Sequence, residues 1–218
     1  AVDQLGIPSI VLMENAARGA ADALRHYAGE LSPDGAPRCG RVAILCYKGN
    51  NGGDGLAVAL RLLIHRVDTA VWLLAAPDEF LGDAATNYEI LSRCGGTIHD
   101  LSGADDPASD LARYAADADW LVDGLLGTGA TGAPRAPLDA AIRWMNEQPA
   151  RRIALDVPSG LDCDTGAASD PTVKADLTCT FATSKIGFQK PEAAAYLGRV
   201  VVCDIGLPIH RVAGALHT

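Results

Sequence analysis

The sequence of 218 residues lacks the patterns that mark several large classes of protein. No apolar run approaches the roughly 20 residues of a membrane-spanning helix, and no signal peptide opens the chain. Lys and Arg form no cluster, and the net charge is −9, so a basic face for nucleic acid is absent. The composition therefore argues against a membrane protein and against a nucleic-acid-binding protein.

Paired cysteines are also missing, although the chain contains six cysteines. None forms a Cys-x-x-Cys pair, and Cys46, Cys179 and Cys203 lie in apolar runs, where a free thiol behaves as a small hydrophobic group. This pattern predicts a reducing, cytoplasmic setting without a zinc site or a disulfide framework. The five histidines show no pattern, and none is assigned to catalysis.

Apolar strands alternate with helical segments along most of the chain. The pattern predicts strands at 42–46, 69–74, 97–99, 120–123, 152–156, 177–181 and 200–203, with helices at 10–27, 56–63, 80–94, 107–117 and 137–147. Such alternation is typical of a three-layer α/β sandwich, Rossmann-like, with a mainly parallel sheet covered by helices on both faces. We expect one domain over 1–218, an extended sheet edge in the C-terminal third, and an N-terminus that lacks its original start.

A glycine-rich segment, Lys48–Gly55, joins the first strand to the next helical pattern. A strand, a glycine turn and a helix together aim backbone N–H groups at an anion. The segment is not Gly-x-Gly-x-x-Gly, and its two Asn and one Asp add oxygens that suit a hard cation or a ribose. Two alternatives remain open: an ordinary Gly/Asn turn, and a helix N-cap role for Asp54.

Four predicted strands end in unusual loops, which a parallel sheet places along one edge. These loops are 49–55, 123–132, 156–162 and 182–187. Ligands bind at that edge in open α/β sheets. Asp123 and Asp156 each follow a buried run, where burial raises the pKa of a carboxyl unless donors or a cation stabilise its charge. Each acid has a catalytic interpretation and an alternative as a cap for its loop.

With these loops aligned, the chain resembles the NAD(P)H-hydrate epimerase family. The matching segments, in the family's order, are Leu12–Ala16, Gly49–Gly55, Asp123–Gly129, Asp156–Gly160, Thr180–Lys185 and Asp204–Pro208. The double-Asn glycine loop together with Asp-x-Pro-Ser-Gly forms a specific pair. The segment around Lys185 matches only loosely, and the resemblance assigns Lys185 no role.

The resemblance implies a reaction and its residues. Family members interconvert the R and S forms of hydrated NADH and NADPH, called NADHX and NADPHX, and an ATP- or ADP-dependent dehydratase, sometimes fused, restores the cofactor from the S form. Substrate contacts are implied for Asn50, Asn51, Gly52, Gly53, Asp54, Gly127, Thr128, Gly129, Ala130, Thr131, Gly132, Ala133 and Asp156. One potassium ion per subunit is implied at Asn51, Asp123 and Ser159, and a homodimer is implied as well.

The chemistry agrees with these residue types. The hydrate has a hydroxyl added at C6 of the reduced nicotinamide ring. Inverting this carbon requires the hydroxyl to leave and return, or the ring to open and close. Either route needs a group that accepts and donates a proton. Asp156 is the candidate for that group.

Two other functions are weighed against this one. The same fold serves as a binding module in messenger-RNA decapping scaffolds, but the presence together of Asn51, Asp123 and Asp156 argues against a non-catalytic copy. An ordinary NAD(P) dehydrogenase is disfavoured because Gly-x-Gly-x-x-Gly and an acid after the second strand are missing.

Overall fold

The structure of the protein is a computed structural model that describes residues 5–31 and 39–209. The expected single domain, 1–218, extends beyond these ranges, so its ends lie outside the described residues. The helices are α1 (Ser9–Leu31), α2 (Asn50–Ile64), α3 (Gly82–Arg93), α4 (Pro107–Tyr114), α5 (Leu138–Glu147) and α6 (Ala194–Leu197). The strands are β1 (Arg41–Cys46), β2 (Asp68–Leu73), β3 (Thr97–Asp100), β4 (Trp120–Gly124), β5 (Arg151–Leu155), β6 (Leu177–Phe181) and β7 (Arg199–Cys203).

All seven strands form one sheet in the order β3-β2-β1-β4-β5-β6-β7. Every pairing between neighbours is parallel, so the α/β fold predicted from the sequence is confirmed, with a fully parallel sheet. The chain builds outward from β1 to β3 and then returns to place β4 on the other side of β1. That reversal leaves a crevice at the carboxyl ends of β1 and β4, which is the usual ligand position in such sheets.

Each face of the sheet carries its own buried core, because successive side chains of a strand point to opposite faces. In β1, Val42 and Ile44 pack into the cluster under α1, α2 and α3, whereas Ala43 and Leu45 pack into the cluster under α4 and α5. All four are fully buried. Full burial of a Leu or Ile side chain contributes about 1.5–3 kcal/mol, which explains why the buried part of this strand, Val42–Cys46, is apolar throughout.

The start of α2 differs most from the sequence prediction. The helix was expected from Leu56 but begins at Asn50, with Gly49 as the N-cap residue at φ 107°. The glycine-rich segment is therefore mostly helical rather than a turn. Asp54 is consequently an internal helical residue, and its alternative role as an N-cap is wrong.

The C-terminal third forms the sheet edge that was expected. No helix lies between β5 and β6, where residues 156–176 cross over with one isolated bridge between Leu161 and Ala168. Between β6 and β7 the chain forms two short 3-10 turns and the one-turn helix α6. The predicted strand bounds agree with the structure to within one residue. Within residues 5–31 and 39–209, no helix combines the length and apolar character needed to cross a membrane.

Candidate active site

A cleft of about 420 Å³ opens at the carboxyl ends of β1, β4 and β5. Its walls come from the segment after β1, the segment after β4 and the residue after β5. Of the residues predicted to contact the substrate, the lining contains Asn50, Asn51, Asp54, Gly127, Thr128, Gly129, Ala130 and Asp156. The cleft therefore lies at the reversal of strand order and brings together three of the four loops singled out in the sequence.

The three predicted metal ligands are joined by hydrogen bonds at this edge. The hydroxyl of Ser159 donates to Asp123 Oδ1 at 2.6 Å, and the Ser159 N–H donates to Asp123 Oδ2 at 2.8 Å. The Asn51 amide donates to the carbonyl oxygen of Leu126 at 2.9 Å. The Leu126 N–H donates in turn to Ser159 Oγ at 2.9 Å. Three separate loops are thus held in one polar cluster.

Burial governs the electrostatics of that cluster. Asp123 is fully buried, and burial raises the pKa of its carboxyl to about 6, although the hydrogen bonds from Ser159 oppose this shift. Asn51 Oδ1 is also buried, and it accepts no hydrogen bond from the part of the chain that the structure describes. An orphaned buried oxygen is costly, and a hard cation is one partner that satisfies it.

Asp156 directly follows β5 and has a left-handed backbone, with φ 63°. The Val157 N–H donates to the Leu155 carbonyl oxygen at 2.8 Å, which closes a γ-turn around Asp156. Its Oδ1 lies 2.7 Å from Lys185 Nζ and accepts from the Phe181 N–H at 3.1 Å. The side chain is only 15% exposed, so this acid is fixed by β6 and by the loop that follows β6.

Asp54 is a second carboxylate in the same cleft. It is 8% exposed, and its carboxyl makes no hydrogen bond with any described residue. Burial, and then the negative charge of Asp156, raises the pKa of Asp54 well above its ordinary value of 3.8. The cleft therefore contains one carboxylate that is paired with a cation, Asp156, and one that is not, Asp54.

Two of the predicted substrate-binding glycines serve helix packing instead of lining the cleft. A Cβ on Gly52 would lie 1.7 Å from the Tyr47 carbonyl oxygen, and one on Gly53 would lie 2.9 Å from Ala84 Cβ and from Met13 Cε. The Gly53 N–H already donates to the Gly49 carbonyl oxygen at 3.1 Å. Both glycines therefore allow close packing at the start of α2, and the substrate contacts implied for them stay predictions.

The far end of the loop after β4 also turns away from the cleft. Thr131 and Ala133 are exposed and do not belong to its lining. Gly132 lines a smaller neighbouring cavity of about 160 Å³, which Ser159 also borders. The structure thus separates the predicted loop into a part that lines the cleft, Gly127–Ala130, and a part beyond it.

Sequence reasoning assigned no role to several residues of this site, among them Tyr47, Lys48 and Lys185. Tyr47 and Lys48 line the cleft, and Lys48 Nζ also pairs with Glu79 at 2.5 Å. Both lie directly before Gly49, so their position at the carboxyl end of the first strand was the available signal. Lys185 was left without a role, and no spacing rule connects it with Asp156, because the two residues meet only through the pairing of β5 with β6.

Comparison with known proteins identifies the family. A family model described as YjeF-related protein N-terminus matches residues 9–187. The chain is 45% identical over 208 residues to the NAD(P)H-hydrate epimerase of Pirellula staleyi, and the match covers 95% of this chain and 87% of that protein. The chain belongs to the NAD(P)H-hydrate epimerase family. The resemblance inferred from the motifs is confirmed.

Other members of the NAD(P)H-hydrate epimerase family differ in length. The NAD(P)H-hydrate epimerase of Rhodopirellula baltica is 40% identical, with 96% of this chain and 80% of that protein covered. The bifunctional NAD(P)H-hydrate repair enzyme Nnr of Moorella thermoacetica is 41% identical over 95% of this chain, which spans 38% of that enzyme.

The crystal structure of the yeast protein YNL200c has the same fold, with a TM-score of 0.72, 19% identity, and coverage of 91% of this chain and 79% of that one.

Proposed function

We propose that this protein is an isomerase that interconverts the R and S forms of hydrated NADH and NADPH. The observation that carries the proposal is the match of 45% identity over 95% of the chain to a protein named NAD(P)H-hydrate epimerase. The cleft supports it, because acidic and amide side chains and an exposed loop meet there at the strand-order reversal. The activity would belong to the repair of damaged nicotinamide cofactor.

Asp156 is proposed as the group that moves the proton. If the C6 hydroxyl leaves, the C6–O bond breaks, the ring nitrogen's electron pair forms a C=N bond, and the departing oxygen takes a proton to become water. Water then returns to the opposite face and gives up a proton. If the ring opens instead, the C6 hydroxyl loses its proton as the C6–N bond breaks to leave an aldehyde, and the nitrogen gains a proton. The nitrogen then loses that proton as it closes on the opposite face of the carbonyl, whose oxygen takes a proton back. Asp156 lines the cleft and is held rigidly, as either route requires.

The N-terminus of α2 is proposed to hold the anionic part of the substrate. Gly49 and Asn50 at its start line the cleft, and the first N–H groups of a helix have no intrahelical acceptor. Those N–H groups and the helix dipole favour a phosphate. Gly127–Ala130 forms the opposite wall, where residues with little side chain leave room for the pyrophosphate.

A potassium ion is proposed at Asn51, Asp123 and Ser159. The residues present fit a hard monovalent cation, since their free atoms are oxygens and Asn51 Oδ1 is buried with no donor from residues 5–31 and 39–209. Such an ion would offset the buried charge of Asp123 and tie together the loops after β1, β4 and β5. No proton transfer is assigned to it.

The names of the related proteins suggest a partner enzyme for this protein. Several are named bifunctional NAD(P)H-hydrate repair enzymes, of which this chain corresponds to 38% of the length in the Moorella thermoacetica protein. We propose that the S form produced here passes to an ATP- or ADP-dependent dehydratase, and that the protein acts as a homodimer in the cytoplasm.

The test is an epimer assay. NADPH hydrate enriched in the R form is incubated with the protein, and the R/S ratio is followed by chromatography against a sample without protein. We expect the ratio to reach equilibrium faster than the spontaneous reaction. An unchanged rate together with measurable binding of the hydrate would instead indicate a binding module, and unchanged NADPH in a parallel sample would exclude dehydrogenase activity as the cause of any signal.

A further inference from the structure

Lys185 contacts three oxygen atoms at the carboxyl ends of β5 and β6. Its Nζ lies 2.7 Å from Asp156 Oδ1, 3.0 Å from the Phe181 carbonyl oxygen and 3.4 Å from the Thr183 carbonyl oxygen. The Lys185 and Asp156 side chains are 16% and 15% exposed. This is the least exposed lysine–carboxylate pair within residues 5–31 and 39–209, and it occurs at the proposed proton-transfer group.

Two of these contacts are hydrogen bonds to backbone carbonyls, and the third is an ion pair with Asp156 Oδ1. A lysine side chain has three N–H donors and no acceptor. Two of them are directed to backbone carbonyls, the charge lies against Asp156, and Lys185 is not among the residues that line the cleft. Its position therefore suits a residue that acts through Asp156, and not one that gives a proton to the substrate.

The two carboxylate oxygens of Asp156 differ in the contacts that they make. Oδ1 forms the ion pair with Lys185. It also accepts hydrogen bonds from the Phe181 N–H at 3.1 Å and from the Thr180 hydroxyl at 3.3 Å. Oδ2 accepts no hydrogen bond from any described residue. Because Asp156 also lines the cleft, Oδ2 is the oxygen that remains for a bound molecule.

The backbone turns sharply after both β5 and β6, and these turns bring Asp156 and Lys185 together. Ala182, which follows β6, has φ 64°, close to the 63° of Asp156 after β5. The Thr183 N–H donates to the Phe181 carbonyl oxygen at 2.7 Å, so Ala182 also occupies a γ-turn. A non-glycine residue in this region is strained and occurs where surrounding contacts hold it there. One turn presents Asp156, and the other returns the chain to Lys185.

We propose that Lys185 is a positioning residue that anchors Oδ1 of Asp156 so that Oδ2 faces the C6 hydroxyl of the hydrate. This inference rests on the proposed function, since the epimerisation rate is its readout. A misplacement of about 1 Å at a reacting group costs on the order of 10²-fold in rate. Loss of the anchor should therefore reduce kcat by about that factor while leaving the affinity for the unreactive cofactor unchanged.

The experiment is chemical rescue of Lys185→Ala. The variant lacks three carbons and the ammonium of the lysine, which n-propylammonium replaces in size and charge. We expect kcat to fall on the order of 10²-fold, KM to change little, and n-propylammonium to restore at least a tenth of the lost rate with saturation. Neutral n-propanol, of similar size, should restore none. Lys190→Ala, which removes an exposed lysine five residues later in the same loop, should behave as the wild type.

The outcomes separate this inference from the proposed function. A wild-type protein that does not accelerate epimerisation refutes the function itself. With an active wild type, the inference is overturned if Lys185→Ala retains the wild-type kcat, if n-propanol rescues as well as the amine, or if neither restores activity in a variant whose thermal unfolding is unchanged. Rescue by the cation alone supports positioning, because a purely structural role would not depend on an added charge.

Discussion

Ser159 binds both carboxylate oxygens of Asp123, through its hydroxyl at 2.6 Å and its backbone N–H at 2.8 Å. The loop after β5 is thereby attached to the end of β4 deep inside the protein, where both residues are buried. Asp123 is accordingly supplied with donors even without an ion. Asn51, in contrast, has a buried Oδ1 with no donor among the described residues, so it is the member of this cluster that an ion would affect most.

The first prediction concerns potassium and Asn51. A ligand that binds only the folded state raises the free energy of unfolding, by about 2.7 kcal/mol when its concentration is 100 times its Kd. We therefore expect potassium chloride to raise the Tm of the wild type more than choline chloride at equal ionic strength. Asn51→Ala should lose this potassium-specific part, because it removes the buried oxygen that no described residue supplies with a donor.

Asn50→Ala is the matched control for that measurement. It removes the neighbouring amide, whose side chain is exposed, and should keep the full potassium response. Scanning calorimetry in the two salts gives the comparison directly. Equal stabilisation of the wild type by potassium and choline would contradict the proposed ion site.

The sequence predicted the strands well because their signal is local and strong. Continuous apolar runs such as Val42–Cys46 are typical of strands buried on both faces, and their ends could be placed to within one residue. The same reasoning placed Asp123 and Asp156 on one edge, since the carboxyl ends of parallel strands lie together. The prediction of the fold and of the edge that carries the cleft thus followed from the hydrophobic pattern.

The start of α2 escaped prediction because tertiary packing overrides local preference there. Gly52, Gly53 and Gly55 are poor helix formers, and each of them lowers the expected stability of a helix by about 1 kcal/mol relative to alanine. Their neighbours leave no room for a Cβ, which only the folded structure reveals. The Lys185–Asp156 contact escaped for a related reason: it depends on strand pairing between positions far apart in the sequence.

The second prediction concerns Gly53. Alanine at an exposed helical position stabilises relative to glycine by about 1 kcal/mol. At Gly53, however, the new methyl would meet Ala84 Cβ at 2.9 Å, and overpacking of this kind costs about 1–3 kcal/mol. We expect Gly53→Ala to lower the free energy of unfolding in urea. Gly129→Ala, whose Cβ would meet nothing within 4 Å, should leave it nearly unchanged, and equal effects of both variants would contradict the packing role.

The third prediction concerns the pH dependence that Asp54 confers. Burial raises its pKa in the folded protein well above 3.8, so the folded state retains a proton that the unfolded state releases. The contribution of Asp54 to the free energy of unfolding is complete below the pKa that Asp54 has in the unfolded state. It is lost as the pH rises through the pKa that Asp54 has in the folded state. The free energy of unfolding should thus fall as pH rises above 3.8, with a slope of at most about 1.4 kcal/mol per pH unit from this group.

Asp54→Asn removes that slope, because the amide does not titrate. Urea unfolding of the wild type and the variant over the same pH series measures the difference. Asp105→Asn, an exposed carboxylate elsewhere in the chain, should retain the wild-type slope. Parallel curves for the wild type and Asp54→Asn would show that Asp54 does not retain its proton on folding.

The fourth prediction concerns Asp156, the proposed proton-transfer group. Asp156→Asn keeps the size of the side chain and removes its ability to accept a proton, and a positioned acid or base contributes about 10²–10⁴-fold in rate. We expect a loss of kcat in that range, equal in both directions because one equilibrium links the two epimers. Calorimetric titration with NADPH should give an unchanged affinity, since the charge removed lies at the reacting end.

Asp164→Asn tests whether that loss is specific. Asp164 is exposed in the same crossover between β5 and β6, so its conversion to Asn makes the same chemical change outside the cleft. It should leave the epimerisation rate at the wild-type value. If Asp156→Asn also equilibrates the R and S hydrates at the wild-type rate, above the spontaneous reaction, then Asp156 only orients the substrate. The proton-transfer group would then be sought at Asp54, the other carboxylate that lines the cleft.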